Sequence, residues 1–179
     1  LEKFDAGSVP NYENYGATYI KDLFKRNKVT VDGVDHYWND YAVPYMWGTM
    51  GFMYNPETIN EDDIKHWSIL WDENYKNMAT AKDSIRDTYV VGVMHAYYDE
   101  LMALKENYKK GLISATEYNE KVSSIMNRCA DENIGDVLAE LQLLKPNLFG
   151  FEVDSGKTDI VSGKISMNLA WSGDAVYSM

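Results

Sequence analysis

Two short stretches put carboxylates where a cation could be held: Asp83-Ser84-Ile85-Arg86-Asp87 and Trp171-Ser172-Gly173-Asp174. An ionised carboxylate suits an alkylammonium group. An indole face beside it attracts a cation by about 0.5–2 kcal/mol, or covers a methylene chain. Gly173 lets the backbone turn sharply or approach a partner closely. Each acid also has a local use. Ser84 with Asp87 three residues on has the spacing of a capping box, and acids in a first helical turn suit the helix dipole. Ser172 or Asp174 can cap a final helix in the same way. Trp171 shares parity with Ile165, Met167 and Leu169, which also fits a core position. The two uses are compatible, because backbone N–H groups can hold one carboxylate oxygen while the other faces a cleft. A catalytic alternative stays open. Asp87 and Asp174 have the residue types of the acid–base pair in glycoside hydrolysis, which needs carboxyl groups about 5–5.5 or 6.5–9.5 Å apart.

Both stretches need a strand that ends in a helix. Lys164–Ala170 alternates and runs into Trp171, and Lys76–Ala81 reads as a short buried strand that meets Lys82–Asp87. A long helix follows to about Tyr108 and ends at Gly111, and Ser114–Glu117 opens the next as a capping box. A helix over about Asn133–Leu144 stops before Lys145-Pro146; Leu148–Val153 reads as a strand and Lys157–Ser162 as a helical turn. Upstream, residues 1–40 mix turn residues with one short helix around Tyr15–Lys25. Tyr41–Tyr45 and Gly48–Tyr54 read as extended, with Tyr45 and Trp47 expected in core or hinge packing. Trp67 and Trp71 share one helical face. Strands alternating with helices predict an α/β fold with a largely parallel sheet. Such sheets take ligands outside the carboxyl ends of their strands.

Composition narrows the chemistry. The 179 residues are 45% apolar and 25% charged, the balance of a folded globular chain. Twenty-eight acidic residues against 17 basic ones give a formal charge of -11, which disfavours nucleic acid and mildly favours cationic ligands. No apolar run is long enough for a membrane span. His36, His66 and His95 lack metal-ligand spacing, so no metal or other cofactor is expected. Cys129 is placed near an apolar helix face and reads as inert. No Gly-rich phosphate loop or nucleophile elbow occurs. The chain opens Leu-Glu-Lys and stops one turn into a new helix, so it is expected to be part of a longer protein.

The runs YAVPYMWGTMGFMYNPE (Tyr41–Glu57) and WSILWDENY (Trp67–Tyr75), the DSIRD turn and the closing MNLAWSGDA together resemble the spermidine/putrescine-binding proteins of ABC polyamine importers. The resemblance implies a periplasmic-binding-protein-like (type II) architecture, with two α/β lobes closing on a ligand. Residues 1–179 would be the second lobe with crossing segments at both ends, and about 99–133 a charged helical hairpin inserted in it. It further implies a non-enzymatic, extracytoplasmic protein whose partners are a polyamine, a membrane permease and the remaining first lobe. By position, Asp87 falls where the family sets a carboxylate on a ligand amine, and Trp171 on the tryptophan packed along the polyamine. Asp174 matches an aspartate of putrescine-selective relatives. Ser84 stands where several relatives carry a further aspartate, a departure that leaves putrescine and spermidine undivided. An iron chelate, a sugar or an amino acid remains the alternative ligand for the same fold.

Overall fold

The computed structural model describes residues 2–3 and 5–179 and separates them into two units, Leu1–Trp47 and Gly48–Met179. In the first unit, α1 (Pro10–Tyr15) and α2 (Thr18–Arg26) precede a hairpin of β1 (Lys28–Val31) and β2 (Val34–Tyr37). Asp32 and Gly33 hold φ of 51° and 76°, the pair of positive values that a two-residue turn matched to strand twist requires. Thr30 Oγ1 donates to Asp35 across the ladder at 2.7 Å, and Lys28 pairs with the same carboxylate. Ile20 is the buried residue of α2, and Phe24 meets the edge of Trp38 with ring centroids 5.6 Å apart. The expectation of one short helix and turns over residues 1–40 therefore misses α1 and the hairpin. Tyr45 and Trp47, expected to pack, are exposed, and Tyr41–Tyr45 forms no strand.

The second unit is built on a four-stranded mixed sheet in the order β3 (Met50–Tyr54), β6 (Met167–Trp171), β4 (Ala79–Lys82), β5 (Gly150–Glu152). β4 runs parallel to both β5 and β6, and β3 closes one edge antiparallel to β6. The α/β expectation holds. β6 is buried on both faces from Met167 to Ala170, the pattern of a central strand covered by helices on either side. Its core partners include Ile59, Leu70, Ala81, Val91 and Leu144.

The helices are α3 (Ile85–Ala96), α4 (Tyr98–Lys109), α5 (Ala115–Met126), α6 (Asp131–Leu144), α7 (Gly156–Val161) and α8 (Ser172–Ser178). The single helix expected to reach Tyr108 breaks at Tyr97, which leaves helical geometry at φ -110° and ψ 27°. Its hydroxyl donates to Asp136 and accepts from Asn133, each at 2.9 Å. Ser114 caps α5 as expected, accepting from the Glu117 N–H at 3.1 Å. The α4–α5 hairpin is anchored by its own contacts: Ile125 is buried with Val93 and Val137, and Arg128 grips Glu100 at 2.7 and 2.8 Å. Cys129 is exposed rather than against an apolar face. Trp67–Trp71 is a 3-10 helix, which separates its two indoles. Trp67 packs by Phe52, while Trp71 stacks on His95 at 3.8 Å.

Candidate functional site

Parallel pairing sends β4, β5 and β6 to the same edge of the sheet, where each runs into a helix: α3, α7 and α8. The two predicted stretches therefore meet. Ser84 caps α3 and accepts from the Asp87 N–H at 3.3 Å. Trp171 Nε1 donates to Asp87 Oδ2 at 3.2 Å, joining residues 84 apart in sequence. The expected cap is made, with the Asp87 N–H donating to Ser84, and the Asp87 carboxylate accepts from the indole. Trp171 is 39% exposed although the four preceding residues are buried, so its ring belongs to the rim and not to the core. No cation pairs with Asp87 among the described residues.

Asp174 has a different setting. The final helix has no side-chain cap from Ser172 or Asp174. Ser172 instead fastens to the start of β3, its N–H donating to Thr49 O at 2.8 Å and its Oγ accepting from Thr49 N at 3.3 Å. Asp174 lies between two lysines, with Oδ2 3.3 Å from Lys82 Nζ and Oδ1 3.4 Å from Lys157 Nζ. Gly173 is helical with open space around it, so the sharp turn or close contact expected of it is not made within this chain.

Lys82 is the centre of this second cluster. Its ammonium donates to Glu152 Oε1 at 2.8 Å, to Val153 O at 3.1 Å and to Asp174, which accounts for all three protons. It also lies 4.5 Å from the centroid of the Trp171 ring. The lysine is buried, and its stem leaves the pleat directly opposite Glu152 in the β4–β5 register. Glu152 in turn accepts from the Gly156 N–H at 2.8 Å. A buried charge survives only when paired and hydrogen-bonded, and both conditions are met here. Trp171 is thus fixed by Asp87 at its edge and Lys82 near its ring.

Reasoning from residue types missed Lys82, Glu152 and Lys157. The expected strand ends at Ala81, which leaves Lys82 outside it, whereas β4 includes Lys82. Its partner is 70 positions away and follows only from strand pairing. An open cleft in the first unit, lined by Tyr12, Tyr15, Pro44 and Tyr45, has no charged side chain in its lining and so lacks the means to hold an ammonium group. Among the described residues, no cluster of three His, Cys, Asp or Glu could hold a metal, and no helix is long and apolar enough to cross a membrane.

The chain is 24% identical over 175 residues to the spermidine/putrescine-binding periplasmic protein of Salmonella typhimurium, covering 98% of this chain and 40% of that protein. It is 38% identical over 93 residues to the putrescine-binding periplasmic protein SpuD of Pseudomonas aeruginosa, covering 49% of this chain and 23% of the relative. Among solved structures, the spermidine/putrescine ABC transporter substrate-binding protein PotD of Streptococcus pneumoniae superposes with a TM-score of 0.62 at 21% identity. That match covers 99% of this chain and 43% of the other. The chain therefore spans about 40% of the length of the Salmonella relative and of the Streptococcus structure. A profile for bacterial extracellular solute-binding proteins matches residues 9–149. With that match across most of its length, the chain belongs to the bacterial extracellular solute-binding protein family.

Proposed function

We propose that this chain is the second lobe of an extracytoplasmic, non-enzymatic substrate-binding subunit of an ABC importer, and that its ligand is a polyamine. The observation that carries the reading is the Asp87–Trp171 contact: a carboxylate without a cation partner among the described residues, held at 3.2 Å against a half-exposed indole. A polyamine is a chain of methylenes between ammonium groups. Each ammonium needs a carboxylate once water is removed, and the methylenes need apolar walls. Asp87 takes an ammonium, Trp171 covers methylenes, Asp174 takes a second ammonium, and Ser84 stands beside the first. The names of the relatives, which are binding proteins for spermidine and putrescine, support this ligand class. A first lobe supplies the rest of the enclosure, and closure is a ligand-shifted equilibrium between open and closed states. The permease is the partner that receives the closed form, and the α4–α5 hairpin is an insertion on this lobe.

Calorimetric titration of the full-length Asp87→Asn variant tests the reading. Truncating one partner of a desolvated charge pair costs about 2–5 kcal/mol, so putrescine affinity should fall about thirtyfold or more. A variant that folds and binds putrescine as well as the unaltered protein would remove Asp87 from the site.

A further inference from the structure

Two lysines hold the Asp174 carboxylate, and they are not equivalent. Lys82 is fixed: its side chain is 2% exposed, and Glu152 and Val153 hold its ammonium from below. Lys157 is at the surface, 27% exposed, on the first turn of α7, and it has other partners within reach. Asp154 Oδ1 lies 3.9 Å from its Nζ, and the Tyr177 ring lies 5.6 Å away. The separation follows the two oxygens. Oδ2 faces the buried ammonium and Oδ1 the exposed one. One carboxylate is therefore bridged by two internal ammonium groups, while Asp87 has none among the described residues.

We propose that Lys157 is a specificity-determining residue, an internal ammonium group on the Oδ1 side of Asp174 that yields this position to a ligand ammonium. The proposal rests on the polyamine reading given above. A primary alkylammonium of a diamine is chemically the same group as a lysine head, so the geometry that accepts one accepts the other. Exchange keeps the number of ion pairs at Asp174 constant. The cost of opening the Lys157 contact is recovered in part at Asp154, which is exposed and 3.9 Å away. Lys82 keeps the carboxylate oriented throughout because its contact is to the other oxygen. The arrangement also selects against neutral ligands. A sugar hydroxyl cannot replace the charge that Lys157 withdraws, and Asp174 would be left with one ammonium where it had two.

The sign of the effect separates this role from a structural one. A residue that merely supports the site weakens binding when removed; a competitor strengthens it. In the full-length protein, Lys157→Met removes the charge and keeps a side chain of similar length. Calorimetric titration with putrescine should show binding tighter by about two- to fivefold, the scale of a partly exposed ion pair that no longer has to open. The gain should shrink at high salt, because the competing interaction is partly exposed to screening. Lys157→Arg restores a cation and should return the affinity to that of the unaltered protein. Lys157→Gln, with a normal unfolding midpoint, serves as a second neutral variant. Unchanged or weaker binding in both neutral variants, with the unaltered protein binding putrescine, would overturn the competitor role and leave the polyamine reading intact. Failure of every form to bind putrescine or spermidine would overturn the polyamine reading and this inference with it.

Discussion

Replacing Lys82 by methionine removes a buried ammonium with little change in side-chain length. The structure fixes what is left behind. Glu152 loses its Oε1 partner at 2.8 Å and keeps only the Gly156 N–H, with its side chain 4% exposed. The Val153 carbonyl loses a donor, and Asp174 retains Lys157 alone. Breaking one half of a buried ion pair costs about 3–5 kcal/mol, because the remaining charge is stranded away from water. For a chain of this size, that corresponds to a fall in Tm of about 6–20 °C. Urea unfolding at neutral pH should show the same loss in the midpoint. The partner variant decides the cause. Glu152→Gln removes the stranded charge while its amide carbonyl can still accept from Gly156, so the Lys82→Met/Glu152→Gln protein should recover most of the stability. A double-mutant cycle should therefore give a coupling of about 2 kcal/mol or more. A single variant costing less than about 1 kcal/mol, or a double variant as unstable as the single, would refute the argument that a stranded carboxylate sets the penalty.

Other outcomes follow from neighbouring contacts. Gly156→Ala should destabilise the protein by about 1–3 kcal/mol in urea unfolding. A Cβ at that position would lie 2.2 Å from Asn168 Nδ2 and 2.7 Å from Glu152 Oε1, both on buried side chains. Acid should reach Asp159 late. The hydrogen bond from Lys164 at 3.0 Å holds its carboxyl below the ordinary 3.8, against burial, which raises it. A lowered folded-state pKa gives stability that is present above 3.8 and lost as pH falls through the lower folded value. The stability gap between the unaltered protein and Asp159→Asn should hold steady above about pH 5 and close in stronger acid, as followed by thermal unfolding.

The sheet and its rim were legible in sequence to different depths. β6 was visible because Ile165, Met167 and Leu169 alternate, and the Ser84–Asp87 cap because its spacing is local. Asp32-Gly33 between valine-rich runs was an available hairpin signal, lost among the turn residues of the first forty positions. The break at Tyr97 was hidden because nothing in the residues around it is a helix breaker. It comes with contacts to Asp136 and Asn133, nearly forty residues on. At the site, the meeting of Asp87 with Trp171 could be expected from two strand ends on a parallel sheet. The burial of Lys82 could not. It depends on the β4–β5 register that sets Glu152 opposite it, and register between strands so far apart leaves no local trace. Asp174 was thus foreseen as a ligand carboxylate without its two lysines.

Calorimetric titration of the full-length protein with putrescine and spermidine, beside glucose, addresses the central claim most directly. The account predicts binding of at least one polyamine with a Kd of about 10 μM or tighter and no measurable heat with glucose. A well-folded protein that binds neither polyamine would contradict it, and binding of a sugar, amino acid or iron chelate instead would assign the same fold to another solute.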